Sequence, residues 1–237
     1  MTPNYFVFNG VDSRAMGVHL IKYPPIVRPK ERVKTVVVPG RSGDLTQIEN
    51  ESGGPPVYEP YDRQMEISNL PGADLGRLKK WLRGRGSMIV GNEPGMIYTV
   101  DLSAQWQGDR ILRKVWGGAL VMHTQPYKRR AQPDPAVTLT SSGATVANPG
   151  DVPAAPLITV AGTGDITVTL GGKTLTLYGV ESGWQVDYDL RWVLDETGAP
   201  LFSVCEGDFG FLPVGSSAVS WTGSVTSLSV AVRPLFL

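Results

Sequence analysis

The sequence predicts a mainly β protein built from two antiparallel modules, and three observations support that fold class. Glycine and proline are abundant, at 28 and 19 of 237 residues, and they divide the chain at turns. Between them lie short segments rich in Val, Thr, Ile and Tyr that alternate polar and apolar side chains, as half-buried strands do. One segment alone has the periodicity expected of an amphipathic helix.

The charged residues divide the chain into its two modules. The formal net charge is zero, with 22 Lys and Arg against 22 Asp and Glu. Up to Gln132 there are 19 basic and 12 acidic residues, a net charge of +7, whereas from Pro133 onward there are 3 and 10, a net charge of −7. The change falls in Lys128-Arg129-Arg130-Ala131-Gln132-Pro133-Asp134-Pro135, whose prolines suit a linker. We therefore predict domains over residues 1–132 and 133–237.

The first module is predicted to form a β-sandwich or barrel with one helix against it. The helix is expected over residues 73–83, because four apolar residues there recur at helical spacing. Asp74 near its start and basic residues near its end match the helix dipole. A bulge is expected at Gly117-Gly118. The expected strands cover residues 5–8, 34–39, 44–50, 63–68, 96–102 and 110–123.

The segment Val36-Val37-Val38-Pro39-Gly40-Arg41-Ser42-Gly43-Asp44-Leu45 predicts a tight hairpin. Pro39 presets a φ near −65°, and Gly40 can adopt the positive φ that a type II turn requires at its third residue. Such a small tip is an unsuitable place for a catalytic side chain and suits a rigid protrusion that contacts another subunit. The candidate contact residues are Pro39, Gly40, Arg41, Ser42, Gly43 and Asp44.

The second module is predicted to be an antiparallel β-sandwich, because short strands and turns follow one another without helical periodicity. Its expected strands cover residues 157–160, 166–170, 175–178, 185–194, 201–205 and 225–232. In the fourth of these, alternation places Tyr188 and Trp192 on a buried face, and Asp187, Asp189 and Arg191 on a solvated one.

Motifs from both modules, in the same order along the chain, resemble the distal tail (Dit) proteins of siphophages, the bacteriophages with long non-contractile tails. The hairpin is the most specific of them. The others are Phe8-Asn9-Gly10, Leu78-Lys79-Lys80-Trp81-Leu82, Asn148-Pro149-Gly150, Ala155-Pro156-Leu157-Ile158, Gly164-Asp165-Ile166, Phe211-Leu212-Pro213-Val214-Gly215 and Val219-Ser220-Trp221. Together they cover nearly the whole chain.

This resemblance implies a structural virion protein at the tail tip, without enzymatic activity or a cofactor. Members of the family form a six-fold ring that joins the tail tube protein to the tail-associated or baseplate hub protein. The resemblance further implies that residues 1–132 form the ring with a tail-tube-like sandwich and one helix. It implies that residues 133–237 form a galectin-like sandwich, similar also to carbohydrate-binding modules.

Carbohydrate binding is the alternative function, as an adhesin that recognises the host surface. A sugar platform needs exposed aromatic side chains, and with Tyr188 and Trp192 assigned to the core the candidates are Trp184 and Trp221. An enzyme such as a wall hydrolase is a more distant alternative, and no motif favours it.

Other chemical signals favour structural interpretations. Gly171-Gly172-Lys173-Thr174 lacks the first glycine of a phosphate-binding loop and precedes a strand, so it predicts a hairpin turn. His19 and His123 have no spaced ligands nearby, and Cys205 is the single cysteine, expected to be a buried structural thiol. We therefore predict no catalytic or metal-binding residues.

Nucleic acid and membranes are not predicted as partners. The basic helix residues are expected to face solvent or another subunit rather than DNA, since the neighbouring Trp81 suits the core. These basic residues are Arg77, Lys80, Arg83 and Arg85. The sequence has no apolar run of the roughly 18 residues that a membrane span needs, and no signal peptide, so we expect a soluble product made in the host cytoplasm.

Overall fold

The chain divides into two compact units, each built on an antiparallel sheet. The computed structural model describes residues 4–48, 54–69, 73–103, 107–112, 115–181 and 183–237. The first unit comprises Met1–Arg32, Tyr58–Gln132 and Leu237, and the second comprises Val33–Val57 and Pro133–Phe236. The predicted fold class, mainly β with one helix in the first module, is confirmed.

The strands are numbered in chain order, and one α-helix, α1 (Leu75–Trp81), occurs within the described ranges. The first ten strands are β1 (Phe6–Phe8), β2 (Val11–Asp12), β3 (Val18–Lys22), β4 (Val33–Val37), β5 (Asp44–Ile48), β6 (Tyr61–Asn69), β7 (Arg85–Val90), β8 (Met96–Asp101), β9 (Gln107–Leu112) and β10 (Val115–Arg130). The others are β11 (Val137–Leu139), β12 (Ala144–Asn148), β13 (Leu157–Leu170), β14 (Lys173–Val180), β15 (Trp184–Asp187), β16 (Trp192–Leu194), β17 (Pro200–Leu201), β18 (Cys205–Gly207) and β19 (Gly215–Ala231).

The long strand β10 organises the sheet of the first unit. The strand order is β2-β1-β7-β8-β10-β6-β3, with β9 also paired to β10. Strand β10 pairs with β9 near its start, with β6 through its first half and with β8 towards its end, always antiparallel. The inner face of the sheet buries an apolar core that includes Phe6, Phe8, Met65, Leu120 and Met122.

Helix α1 is shorter than predicted because its ends are set by specific caps. Asp74 lies just outside the helix, and its carboxylate accepts hydrogen bonds from the N–H groups of Gly76 at 2.8 Å and Arg77 at 3.3 Å. After Leu82, Gly84 has a φ of +81° and ends the helical segment. The helix packs on the core of the first unit through its buried Leu78.

The predicted bulge at Gly117-Gly118 is wrong. Both glycines pair in regular register with β6 on one side and β9 on the other, and the nearby register shift lies between Val115 and Trp116. Gly117 and Gly118 instead line a cavity of about 20 Å³ together with Leu75 and Leu78 of the helix. The absent side chains therefore leave room for the helix to approach the sheet.

The second unit is organised by the pairing of β13 with β19, its two longest strands. The strand order is β11-β19-β13-β15-β16-β17, with β12 on β19, and β14 between β13 and β18. The first half of β13 pairs with β15 and its second half with β14, while β19 pairs with both halves of β13. Strands β13 and β19 therefore run through both parts of the sheet. One core takes residues from both halves, among them Ile158, Val160, Ile166, Val168 and Leu228.

Two predicted strands of the second module, residues 157–160 and 166–170, form the single strand β13. Its register against β19 shifts between Ala161 and Gly162. A Cβ at Gly162 would lie 2.5 Å from the carbonyl oxygen of Ser224, so glycine allows the two backbones to approach closely. Gly162, which falls between two predicted strands, therefore lies within one continuous strand whose register shifts at this point.

Candidate functional site

The tip of the β4–β5 hairpin has the backbone geometry that its sequence predicts. Gly40 has a φ of +81°, and the N–H of Arg41 donates to the carbonyl oxygen of Val38 at 3.2 Å, which closes a turn with Pro39 and Gly40 at its centre. Gly43 also has a positive φ, +78°. All six candidate contact residues, Pro39, Gly40, Arg41, Ser42, Gly43 and Asp44, are exposed.

The arms of this hairpin expose apolar side chains on both faces. Val36 lies opposite Leu45 on one face, and Val33 and Val37 lie on the other. These four residues are 38–73% exposed. Among the residues that the structure describes, β4 and β5 pair only with each other. Since a lone two-stranded hairpin is marginally stable in water, exposed apolar faces on one favour contact with another chain.

The hairpin carries no constellation of catalytic groups. Arg41 and Asp44 are the charged residues of its tip, and the turn residues between them are Ser42 and Gly43. Its geometry provides a rigid turn, two strand edges with no partner strand among the described residues, and apolar side chains, which are features of a binding surface.

The predicted sugar platform is not formed as expected. Trp184 is 7% exposed and belongs to the core of the second unit, so the prediction that it is exposed is wrong. Trp221 is half-buried and packs against the same core, while its backbone N–H and C=O bond to the hydroxyl of Ser142. Of the two tryptophans, only Trp221 retains a partly accessible ring.

Trp192, which alternation assigns to the core, is instead 55% exposed. The predicted strand over residues 185–194 is interrupted by a turn, and β16 begins afterwards with Trp192. Asp187 stabilises this turn, because its Oδ1 accepts from the N–H groups of Asp189 at 3.0 Å and Leu190 at 3.1 Å. The turn changes the phase of the alternation, so Tyr188 is buried and Trp192 is not.

Asp187 is a buried ion-pair partner rather than part of a solvated face. It is 4% exposed, and its two carboxylate oxygens accept from Nη1 of Arg233 at 3.0 and 2.9 Å. Asp189 is exposed on the turn, so the two carboxylates do not share a strand face as predicted. A carboxylate with these partners has a structural role.

The basic residues of the helix surround no aromatic platform for nucleic acid. Arg77, Lys80 and Arg83 are exposed, but the ring of Trp81 stacks on Phe6 at 5.5 Å. The Nε1–H of Trp81 also donates to the carbonyl oxygen of Phe8 at 3.2 Å. The tryptophan is thereby held against the sheet and is partly buried.

The remaining titratable candidates do not assemble into a site. Nδ1 of His123 lies 2.8 Å from Oδ1 of Asp62, and both side chains are exposed. Within the described ranges, no group of three His, Cys, Asp or Glu side chains is arranged to hold a metal ion. Cys205 is partly buried, and this burial raises the pKa of its thiol. In the described part of the chain, no helix has the length and apolar character to span a bilayer.

Asn148 is a structural residue whose role the sequence motif alone does not reveal. Its Nδ2 donates to the carbonyl oxygens of Val152 at 3.0 Å and Leu212 at 3.1 Å, and its Oδ1 accepts from the N–H of Gly150. A hydrogen bond thus connects the Asn-Pro-Gly motif to the Leu-Pro motif, although Asn148 and Leu212 lie 64 residues apart in the chain.

Comparison with known proteins identifies a matching fold. No protein-family model and no curated protein matches the sequence. Among solved structures, the Dit (gp 19.1) protein of phage SPP1 has a TM-score of 0.73 to this chain at 12% sequence identity, and the match covers 98% of this chain and 99% of that one. The SPP1 protein is described as a paradigm of the hub adsorption apparatus in phages that infect Gram-positive bacteria. The predicted resemblance to Dit proteins is therefore confirmed at the level of the fold.

Proposed function

We propose that this chain is a distal tail hub protein of a siphophage, a structural component of the virion tail tip with no enzymatic activity. The observation that carries the proposal is a fold match to the SPP1 hub protein that extends over 98% of one chain and 99% of the other. A match through both units supports more than the reuse of one common β-domain, which by itself says little about function. The protein is made in the host cytoplasm and assembled into the tail.

In this proposal residues 1–132 form a closed ring of six copies, and residues 133–237 form a galectin-like outer domain. The ring joins the tail tube protein on one side to the tail-associated or baseplate hub protein on the other. Strands β2 and β3 lie at the two ends of the described part of the first sheet, and an edge strand is a template for pairing with another chain, which supports ring closure. The hairpin tip, Pro39 to Asp44, contacts a neighbouring subunit or the adjoining tail ring.

Native mass spectrometry of the full chain, together with labelling of purified tails, tests the hub proposal. The expected result is an assembly of six copies of the 25.6 kDa chain, and an antibody against the protein that labels one end of the tail. A strict monomer at high protein concentration, together with the absence of the protein from purified tails, would remove the proposal.

A further inference from the structure

Strand β6 places a cation at a position that faces the core of the first unit. Arg63 alternates in phase with Met65 and Ile67, which belong to that core, and it is only 3% exposed. Arginine is seldom buried to this extent without a partner. The Nε and Nη2 groups of Arg63 have no hydrogen-bond partner among the described residues. The guanidinium therefore carries a buried charge that needs compensation.

The residues around Arg63 do not neutralise its charge. Its guanidinium lies over the ring of Tyr98, 4.6 Å from the centroid, which stabilises a cation but supplies no negative charge. Glu93 is the carboxylate that acts electrostatically on this cluster. It already accepts hydrogen bonds from the hydroxyl of Tyr98 and from Nζ of Lys128, the latter at 3.3 Å. One carboxylate is thus shared among two cations and a phenol.

Arg63 lines a cavity of about 260 Å³ that is rich in cations and hydroxyl donors. Arg28 and Lys128 line it as well, and Tyr61 and Tyr98 contribute phenol groups. Among the residues that the structure describes, the lining includes no Asp or Glu side chain, and its other members are Ile26, Val27 and Leu237. Since a water molecule in the liquid occupies about 30 Å³, the cavity has room for a small organic anion or an acidic side chain.

We propose that this cavity binds a carboxylate. A carboxylate supplies Arg63 with negative charge beyond that of Glu93, which already pairs with Lys128, and its planar pair of oxygens suits a guanidinium. The carboxylate comes either from a small free acid or from an Asp or Glu side chain of a neighbouring copy of this chain. The second source rests on the proposed ring, whereas the first does not depend on it.

Succinate is the probe for the free acid, with chloride at equal ionic strength as the reference. We expect succinate to raise the melting temperature of the full chain saturably, and Arg63→Met to weaken its binding by about tenfold to a hundredfold. Arg63→Met is expected to fold, because it extends the core face of β6 with a side chain of similar length. Arg77→Met, at an exposed helix position, is the matched control and should bind succinate as the natural chain does.

Measuring ring assembly of the same variants separates the two sources. In the first outcome, succinate binds saturably, this binding requires Arg63, and Arg63→Met assembles as the natural chain does. This result assigns the site to a free acid, even if the natural chain is a monomer. In the second outcome, the assembled natural chain does not bind succinate, and assembly is lost in Arg63→Met but retained in Arg77→Met. This result assigns the carboxylate to a neighbouring subunit. If neither binding nor assembly depends on Arg63, the proposal is wrong.

The carboxylate of Leu237 needs its own control, since that residue also lines the cavity. A chain extended by Gly-Ser after Leu237 moves this carboxylate away. We expect the extended chain to bind succinate and to assemble as the natural chain does. If succinate binds only after the extension, the cavity is already occupied by the chain's own carboxylate, and the proposal of an external one is overturned.

Discussion

Buried polar residues hold distant segments of the second unit together. Asn148 and Asp187 are 1% and 4% exposed, and both use every one of their side-chain oxygens. Besides nearby partners, each has one partner far away in sequence, which is Leu212 for Asn148 and Arg233 for Asp187. A buried polar group of this kind costs free energy if its partner is removed, so each of them fixes one arrangement of its segments.

Replacing Asp187 is expected to destabilise the second unit. Asp187→Ala removes both the ion pair with Arg233 and the acceptor for the following turn, so we expect a loss of about 2–3 kcal/mol in the free energy of unfolding. Asp187→Asn keeps the turn acceptor and should lose about 1 kcal/mol. Urea unfolding at pH 7 measures both. Exposed Asp189→Ala is the control and should stay within about 0.5 kcal/mol; equal losses in all three variants would contradict the assigned role.

Glu93 is expected to make the first unit sensitive to acid. Burial by itself would raise the pKa of Glu93, but hydrogen bonds from Tyr98 and Lys128 outweigh it and hold the pKa below its ordinary value of 4.5. A lowered folded-state pKa means that the unfolded chain binds the proton more readily. The stabilisation is therefore present above pH 4.5 and is lost as the pH falls through the lowered pKa.

Glu93→Gln removes this titration, and so its stability should fall less steeply than that of the natural chain as the pH is lowered below about 4.5. The measurement is the free energy of unfolding in urea as a function of pH. Parallel curves for the two proteins across this acid range would show that Glu93 contributes nothing to the pH dependence.

At the scale of elements, the hairpin is expected to matter for assembly more than for folding. Gly40→Val places a β-branched residue at a φ of +81°, with no atom within 4 Å to clash, and should cost about 1–3 kcal/mol locally. Gly198→Val is a matched control, because Gly198 also lies in open space with a φ of +85° but outside the hairpin. We expect both variants to fold, and only Gly40→Val to lose assembled rings in native mass spectrometry.

Normal rings and infectious tails from Gly40→Val would mean that the tip is an ordinary exposed turn. Loss of assembly in Gly198→Val as well would assign the effect to general destabilisation. Only the difference between these two variants supports a contact at the tip.

Turns with a local chemical cause could be predicted from the sequence, and turns with a distant cause could not. Gly40 in the tip and Gly171-Gly172 between β13 and β14 have the positive φ that their neighbours predict. The turn after Asp187 contains neither glycine nor proline, and it depends on a carboxylate fixed by Arg233, 46 residues away. Alternation alone therefore continues a strand through this turn and places Trp192 in the core, whereas Trp192 is 55% exposed.

The candidate sites also differ in how far the sequence alone predicts them. The hairpin residues were predictable because the geometry of a two-strand turn is encoded within ten residues. Arg63 was not singled out, although its phase with Met65 and Ile67 is visible in the sequence. Alternation alone does not tell a core-facing arginine from one at a strand end. The cavity beside it depends on side chains from separate strands, Tyr98 and Lys128.

At the scale of the whole molecule, this chain and the SPP1 protein share a fold although few of their residues are identical. A TM-score of 0.73 at 12% identity means that most aligned residues differ between this chain and the SPP1 protein although the fold is shared. Cores tolerate such replacement when volume and patterning are kept. The fold is therefore compatible with many surfaces, and binding properties have to be derived from the surface of this chain.

The last prediction applies that reasoning to residues 133–237, for which the resemblance to Dit proteins implies a galectin-like sandwich and so suggests sugar binding. A sugar platform requires exposed aromatic rings with polar groups beside them. Trp184 is in the core and Trp221 is half-buried, so the predicted pair of rings is not available, and Trp192 is the exposed ring of these three tryptophans. We therefore expect the full chain to show no measurable affinity for saccharides of the host wall, by glycan array and by tryptophan fluorescence titration. Under the proposed function, these residues would then serve as a scaffold for other tail proteins. Binding that disappears in Trp221→Ala, or in Trp192→Ala at the exposed turn, would contradict this and establish the adhesin alternative.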